Sequence, residues 1–501
     1  MESIVMLALD VGASGGKAIA GILDLKENKL VTEELYRFPN FMVRVGSHLH
    51  WNILYIWSEI KNAVKVAVKK YGSKLASVGI DTWGVDFTLL DDREELVGLP
   101  YTYRDKGSEF AMEEVLARIP RKLIYARTGI QFTKINTLYQ LYALAKNNPS
   151  KLKMAKTFLM IPDLLNYWLT GVKASEYTEA STTQFLDPRT RSWCYDILET
   201  LNIPTSILPE IVDAGTMLGH LDKNLAEELS IPKEVYENLA IVAPATHDTA
   251  SAIAAGPMVD ENAGYISSGT WNLVGIELKE PLINDMAMEY NFANEGGAFK
   301  TITFLRNMQG MWILQEVKRI LAEVEGKEYS YDELVKMATE ADNIESFIDV
   351  DHPNFLAPTN MVNEILKYLD ATGQQKPKNV NELIRIIVNS LALKHRLIFD
   401  KAVALKGKRL THINIFGGGS KNNLLNQLTA NVLKIPVYAG PAEATSAGNI
   451  LIQASGLGVI RSLSELRKTV KNSFDIKIYH PEDEETYEDL YSKYISKIRP
   501  L

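Results

Sequence analysis

One pattern limits the fold of this chain more than any other. A buried-type strand runs into a polar, glycine-bearing turn and out into a second strand, and the pattern occurs twice. The first copy is Ile4 to Leu9, the turn Asp10-Val11-Gly12-Ala13-Ser14-Gly15-Gly16-Lys17, and Ala18 to Leu23. Two apolar runs around a glycine-rich turn predict a hairpin. The second copy is Ala263 to Ile266, the turn Ser267-Ser268-Gly269-Thr270, and Leu273 to Leu278. A chain of 501 residues is too long for one core, so two domains are expected. With no linker or low-complexity segment between the copies, the restart of the pattern puts the boundary near residue 245, giving domains 1–244 and 245–501. Two similar halves predict a cleft that holds a ligand.

Between the copies lies the segment with the most chemistry. The buried-type strand Ala240-Ile241-Val242-Ala243 is followed by Ala245-Thr246-His247-Asp248-Thr249-Ala250-Ser251-Ala252, which continues as small, helix-compatible residues. Asp248 therefore sits at a strand-to-helix mouth, where open α/β sheets bind ligands. A carboxylate there accepts a proton from a substrate hydroxyl. Hydroxyl-rich and glycine-rich turns offer N–H and O–H donors to phosphate oxygens. A base beside phosphate-type turns points to phosphoryl transfer to an alcohol.

Other segments carry two readings each. Asp10 to Lys17 is a plain hairpin turn, or a phosphate loop with Asp10 near Mg²⁺ through water and Lys17 as a point charge. No G-x-x-x-x-G-K-[ST] occurs, and no G-x-G-x-x-G follows a strand. Gly417-Gly418-Gly419-Ser420, between the predicted strand Thr411–Phe416 and helix Asn423–Leu433, is a flexible loop or a backbone shelf for a flat ligand. Asp81-Thr82-Trp83-Gly84-Val85-Asp86 is a surface turn with a partly buried tryptophan, or a sugar-binding arrangement of indole and carboxylates. Tyr101-Thr102-Tyr103-Arg104-Asp105 adds hydroxyl and guanidinium donors nearby, or Arg104 and Asp105 form only a surface pair. His247 is a core histidine or a donor to a substrate hydroxyl. Helices are predicted over Trp57–Tyr71, Lys134–Asn147, Pro162–Leu169, Val380–Leu405 and 482–501.

The net charge of −8 argues against broad nucleic-acid binding. The single Cys194 excludes internal disulfides. Ile4 to Leu9 has no basic leader or cleavage site, and no apolar run reaches the ~18 residues of a membrane span. A cytoplasmic protein is expected, without membrane association, as a monomer or homodimer.

Together these segments resemble the FGGY family of carbohydrate kinases, within the actin-like superfamily of ATPases. The resemblance rests on Leu9-Asp10-Val11-Gly12-Ala13-Ser14, Gly79 to Phe87, Thr246 to Ala252, Ser267 to Trp271, Asn294-Glu295-Gly296-Gly297, Gly417 to Gly419, Leu424 to Gln427 and Ala439 to Ala444. They run in order from residue 4 to about 455. The resemblance implies an α/β architecture of two ribonuclease-H-like domains flanking a catalytic cleft. It implies ATP and Mg²⁺ as cofactors and transfer to the 1-hydroxyl of L-rhamnulose, in rhamnose catabolism. It also implies the roles: Asp248 as general base; Trp83, Gly84, Asp86, His247, Thr249 and Asn307 at the sugar; Ala13, Ser14, Gly15, Gly16, Lys17, Thr270, Gln315 and Gly418 at the nucleotide; and Asp10 at Mg²⁺. The chain departs from the family at Gly15 and Lys17, where serine and arginine are expected. Alternatives are a kinase for L-fuculose, L-xylulose or D-xylulose, a non-catalytic sugar sensor and an actin-like filament former.

Overall fold

The computed structural model describes residues 3–258, 260–341, 344–356 and 358–498. Its first hairpin joins β1 (Ser3–Gly12) to β2 (Gly15–Asp24), antiparallel. The connecting turn is only Ala13-Ser14, shorter than the expected span from Asp10 to Lys17. Pairing persists because Asp10 and Lys17 stand opposite each other across the ladder, an opposite-charge pair 3.3 Å apart. β3 (Lys29–Pro39) pairs antiparallel with β2, and a Cβ on Gly16 would overlap the Phe38 ring.

β4 (Leu75–Thr82) lies parallel to β1, with Asp81 beside Asp10. β5 (Thr216–His220) pairs antiparallel with β6 (Ala240–Ala243), which is parallel to β4. The sheet order is β5-β6-β4-β1-β2-β3. The helix α1 (Ile53–Tyr71) starts four residues before its expected first residue, where Asn52 Oδ1 accepts from Tyr55 N at 3.3 Å. Ile53, Ile56, Ile60, Ala63, Val64 and Ala67 form its apolar stripe, packed in one core with Val5, Leu7 and Leu9. It stops at Gly72, whose φ is +54°. The small helix α2 (Asp248–Ala254) follows β6.

The second unit repeats this plan. β7 (Ala263–Ser268) pairs antiparallel with β8 (Trp271–Leu278); β9 is Ile302–Gln309. β10 (His412–Phe416) lies parallel to β7, β11 (Val437–Ala439) parallel to β10, and β12 (Lys477–Tyr479) antiparallel to β11. Within a seven-stranded sheet these six run in the order β9-β8-β7-β10-β11-β12. The weak echo in sequence is thus a repeated topology of hairpin, two parallel neighbours and an antiparallel edge. The long helix α3 (Val380–Lys406) is capped by Asn379 and ended by Gly407 at φ +71°; α4 (Asn423–Leu433) follows the glycine turn.

The units are not consecutive halves. One comprises Met1–Ala255, Leu278–Phe304 and Ala444–Ser473; the other Gly256–Glu277, Leu305–Glu443 and Phe474–Leu501. The division expected at 244/245 therefore differs from the observed one, and Asp248 belongs to the first unit. The reason is packing: α2 lies against α5 (Ala444–Gly456) so closely that a Cβ on Gly448 would overlap the Ser251 carbonyl. The predicted helices at 134–147 and 162–169 are Thr137–Asn147 and Ile161–Thr170. The terminal one is Glu484–Lys497, and residues 499–501 of that expectation lie outside the described residues.

Candidate active site

The first unit gathers its polar residues at the carboxyl ends of β1, β4 and β6. The segment after β6 is held by backbone and by a buried acid. Thr82 N donates to Thr246 O at 2.8 Å. Thr246 donates to Glu176 Oε2 through its N–H at 3.0 Å and its hydroxyl at 2.9 Å. His247 N donates to Thr178 Oγ1 at 3.3 Å. So fixed, the chain enters α2 with Asp248 as its first residue.

The Asp248 side chain keeps 31% of its surface exposed, while His247 is almost wholly buried. Thr249 Oγ1 donates to Asp248 Oδ1 at 3.2 Å. Burial first, and the Asp10 charge second, push the Asp248 carboxyl up to about 7. His247 Nδ1 stands 3.4 Å from Glu295 Oε2, and Nε2 3.7 Å from Asp248 Oδ1. Burial lowers the imidazole's pKa and favours its neutral form. Glu295 thus flanks the ring at Nδ1 and Asp248 flanks it at Nε2.

Asp10 Oδ2 accepts from Ser446 Oγ at 3.0 Å and lies 3.3 Å from Lys17 Nζ. Asp81 is fully buried; its Oδ2 accepts from Asn449 Nδ2, and its Oδ1 has no hydrogen-bond partner. Burial, then Asp10 and Asp248, push its carboxyl well above the usual range. The Asp10 charge thus raises the carboxyls of both Asp81 and Asp248. Among the described residues no group of three or more His, Cys, Asp or Glu side chains is placed to hold a metal ion.

The turn after β4 is built on Asp86, which is fully buried. Its Oδ2 accepts from Trp51 Nε1 at 2.6 Å, Trp83 Nε1 at 3.0 Å and Tyr103 N at 3.1 Å; its Oδ1 accepts from Gln140 Nε2 at 2.9 Å. Burial outweighs these four donors and raises its carboxyl to about 6. The Trp51 and Trp83 rings lie 4.1 Å apart, so Trp83 is a buried residue and not part of a surface turn. Gly84 is in close quarters: a Cβ there would stand 3.1 Å from Thr182 Cγ2 and 3.3 Å from His247 Nε2. Trp83, Gly84, His247, Asp248 and Thr249 therefore meet in one place. Asp86 stands behind them, with both oxygens engaged by protein. Asp105 accepts from Leu49 N at 2.6 Å and pairs with His48 at 3.0 Å, not with Arg104.

The second unit holds Thr270, Asn307, Gln315 and Gly418. The β7–β8 turn and the Gly417–Gly419 turn abut, since a Cβ on Gly419 would overlap Ser268 Oγ, and Gly417 takes φ +81°. Thr270 O accepts from Gly310 N at 3.1 Å and Trp312 N at 3.2 Å. Behind the turns runs a buried relay. Ser268 Oγ donates to Asn272 Oδ1 at 3.0 Å, and Asn272 Nδ2 donates to His395 Nε2 at 3.0 Å. His395 Nδ1 then faces Thr429 Oγ1 at 3.3 Å. Burial lowers the His395 pKa to about 3, so the ring stays neutral. Gly418 is exposed, Gln315 lies in the helix Trp312–Glu325, and half-buried Asn307 lies on β9. Of the first-unit turn, Ser14 is exposed and Ala13 and Gly15 half-buried, whereas Gly16 lies buried against Phe38. Gly15 has a Cβ position only 3.2 Å from Phe38 O, which leaves little room for the serine expected there.

Sequence reasoning missed Trp51, Gln140, Glu176, Thr182 and the Ser446, Asn449 and Gln453 face of α5. Ser446, Asn449 and Gln453 fall three and four residues apart, a helical spacing visible in sequence. Glu295 was legible only as part of a resembling segment.

The family model for the N-terminal domain of the FGGY family of carbohydrate kinases matches residues 5–254, and that for its C-terminal domain matches residues 264–457. A protein named rhamnulokinase from Halalkalibacterium halodurans is 40% identical over 96% of this chain and 99% of its own length. One of the same name from Bacteroides thetaiotaomicron is 37% identical over 98% and 99%. The fold is similar to that of gluconate kinase from Lactobacillus acidophilus, with a TM-score of 0.81 at 16% identity over 99% and 97% of the chains. It is also similar to Plasmodium falciparum glycerol kinase with ADP, at a TM-score of 0.80 and 16% identity over 100% and 99%. With both domain models matched in order and full-length relatives at this identity, the chain belongs to the FGGY family of carbohydrate kinases.

Proposed function

We propose that this protein transfers the γ-phosphoryl group of ATP to the 1-hydroxyl of L-rhamnulose, with Asp248 as general base. The observation that carries the reading is Asp248 itself: one partly exposed carboxylate, first in its helix, tuned to about 7, beside His247 and the Trp83–Gly84 turn. The names of the full-length relatives support L-rhamnulose over the other ketoses. They likewise do not favour a non-catalytic sensor or a filament former.

In this reading Trp83, Gly84, His247 and Thr249 hold the ketose, and Asp86 orders the turn that carries the indole. His247 donates to a sugar hydroxyl, the role its place beside Asp248 suggests. Asn307 is assigned to the sugar by resemblance alone. Thr270, Gln315 and Gly418 serve the nucleotide, with Ala13, Ser14, Gly15, Gly16 and Lys17 at phosphate oxygens. Asp10, supported by Asp81, would hold Mg²⁺ through water; when bound, the ion neutralises charge on phosphate oxygens.

The sugar's O1 forms the new bond to phosphorus as the bond from phosphorus to the ADP oxygen breaks. The O1 proton passes to an Asp248 oxygen. The transition state is loose, so positioning and charge stabilisation do most of the catalysis. Product chemistry tests the reading. With ATP, Mg²⁺ and L-rhamnulose, phosphorus NMR should show one ester coupled to the two C1 protons. An ester on a secondary carbon, or inorganic phosphate alone, would contradict it.

A further inference from the structure

A pocket of about 170 Å³ lies in the first unit, lined by none of Trp83, Gly84, Asp86, His247 or Asp248. Its body is apolar, with Phe87, Leu89 and Leu144 among its walls. One polar group in it stands out: Lys151, half-buried, with Nζ 3.2 Å from the Tyr101 hydroxyl and 5.0 Å from the centre of its ring. Among the described residues no carboxylate lies within ion-pairing distance of that ammonium. The pocket's own acid, Asp105, is already satisfied by His48 at 3.0 Å, Leu49 N at 2.6 Å and Gly107 N at 2.9 Å.

The pocket thus offers one positive charge without a carboxylate partner and an apolar wall. A cavity of about 150 Å³ is known to accept benzene, so this one is ring-sized. We propose that it is a binding site for a small monocarboxylate with a ring-sized, largely apolar body. The carboxylate pairs with Lys151, and the body packs on Phe87, Leu89 and Leu144. A single ammonium beside an apolar wall balances one negative charge.

Benzoate is the direct probe, titrated calorimetrically into the full-length protein, with uncharged benzamide as its near-isostere. Benzoate should bind at one site, and benzamide roughly tenfold more weakly or worse, the loss expected for one charge-assisted contact. Lys151→Met should weaken benzoate by about the same factor, and Lys151→Arg should retain it. Saturating L-rhamnulose should not displace it. The proposal is overturned if wild type does not bind benzoate, if benzamide binds as well, if Lys151→Met binds unchanged, or if the ketose competes. No turnover enters these measurements, so they stand or fall apart from the kinase reading.

Discussion

Asp248 is held between two demands. A general base works best with a pKa near the working pH, and burial beside Asp10 raises this carboxyl to about 7. The same burial makes its charged form costly to the fold. Asp248→Asn keeps the shape but cannot take the proton, and should lower turnover by ~10²–10⁴-fold with ketose affinity nearly unchanged. In wild type, kcat/KM should fall as pH drops below about 7 in the free enzyme, because the base is then protonated. Stability runs the other way. Between the ordinary aspartate pKa and about 7 the native state binds the extra proton, so stability is lost as pH rises through that window. Asp248→Asn should therefore melt higher than wild type at pH 8, with the gap closing toward pH 4. A gap independent of pH, read by calorimetry at both values, would show that the carboxyl is not perturbed.

At the scale of elements, the site depends on close backbone approach and on buried polar faces. Gly448 of α5 meets the Ser251 carbonyl of α2, the helix that begins at Asp248. Gly448→Ala should force the two helices apart, cost ~1–3 kcal/mol in urea unfolding and lower kcat with it. In the second unit, α3 reaches the β7–β8 turn through His395 and Asn272. His395→Ala leaves the Asn272 amide unsatisfied and should raise KM for ATP about tenfold while ketose affinity holds. Equal weakening of both ligands in binding titrations would make the relay a general stability feature. The hairpins were legible because each is an apolar run bounded by small polar residues. Their true extent was not: the Asp10–Lys17 ladder pair extends the strands into what reads as a turn. The polar face of α5 was overlooked for a related reason. Ser446, Asn449 and Gln453 are polar residues at helical spacing, yet all are buried, donating to Asp10, Asp81 and Leu7 O. Nor does local pattern bring Glu176 to Thr246, or Glu295 to His247, because those pairs are distant in sequence.

At the scale of the whole molecule, two units with the same strand plan hold different chemistry: acid, indole and histidine in the first, hydroxyl and glycine turns in the second. The repeated plan was visible as an echo, but the interleaving of the units was not, since helix packing between residues 248–254 and 444–456 leaves no local mark. Among the described residues no helix is long and apolar enough to cross a membrane. The central claim is that this FGGY kinase is built for L-rhamnulose. It is tested most directly by kcat/KM in a coupled ADP-release assay with L-rhamnulose, L-fuculose, L-xylulose and D-xylulose, each at saturating ATP and Mg²⁺. L-Rhamnulose should give the highest value, at least about tenfold above the others, as expected when a mismatched hydroxyl leaves buried polar groups unpaired. A higher value for any of the other three ketoses would contradict the account.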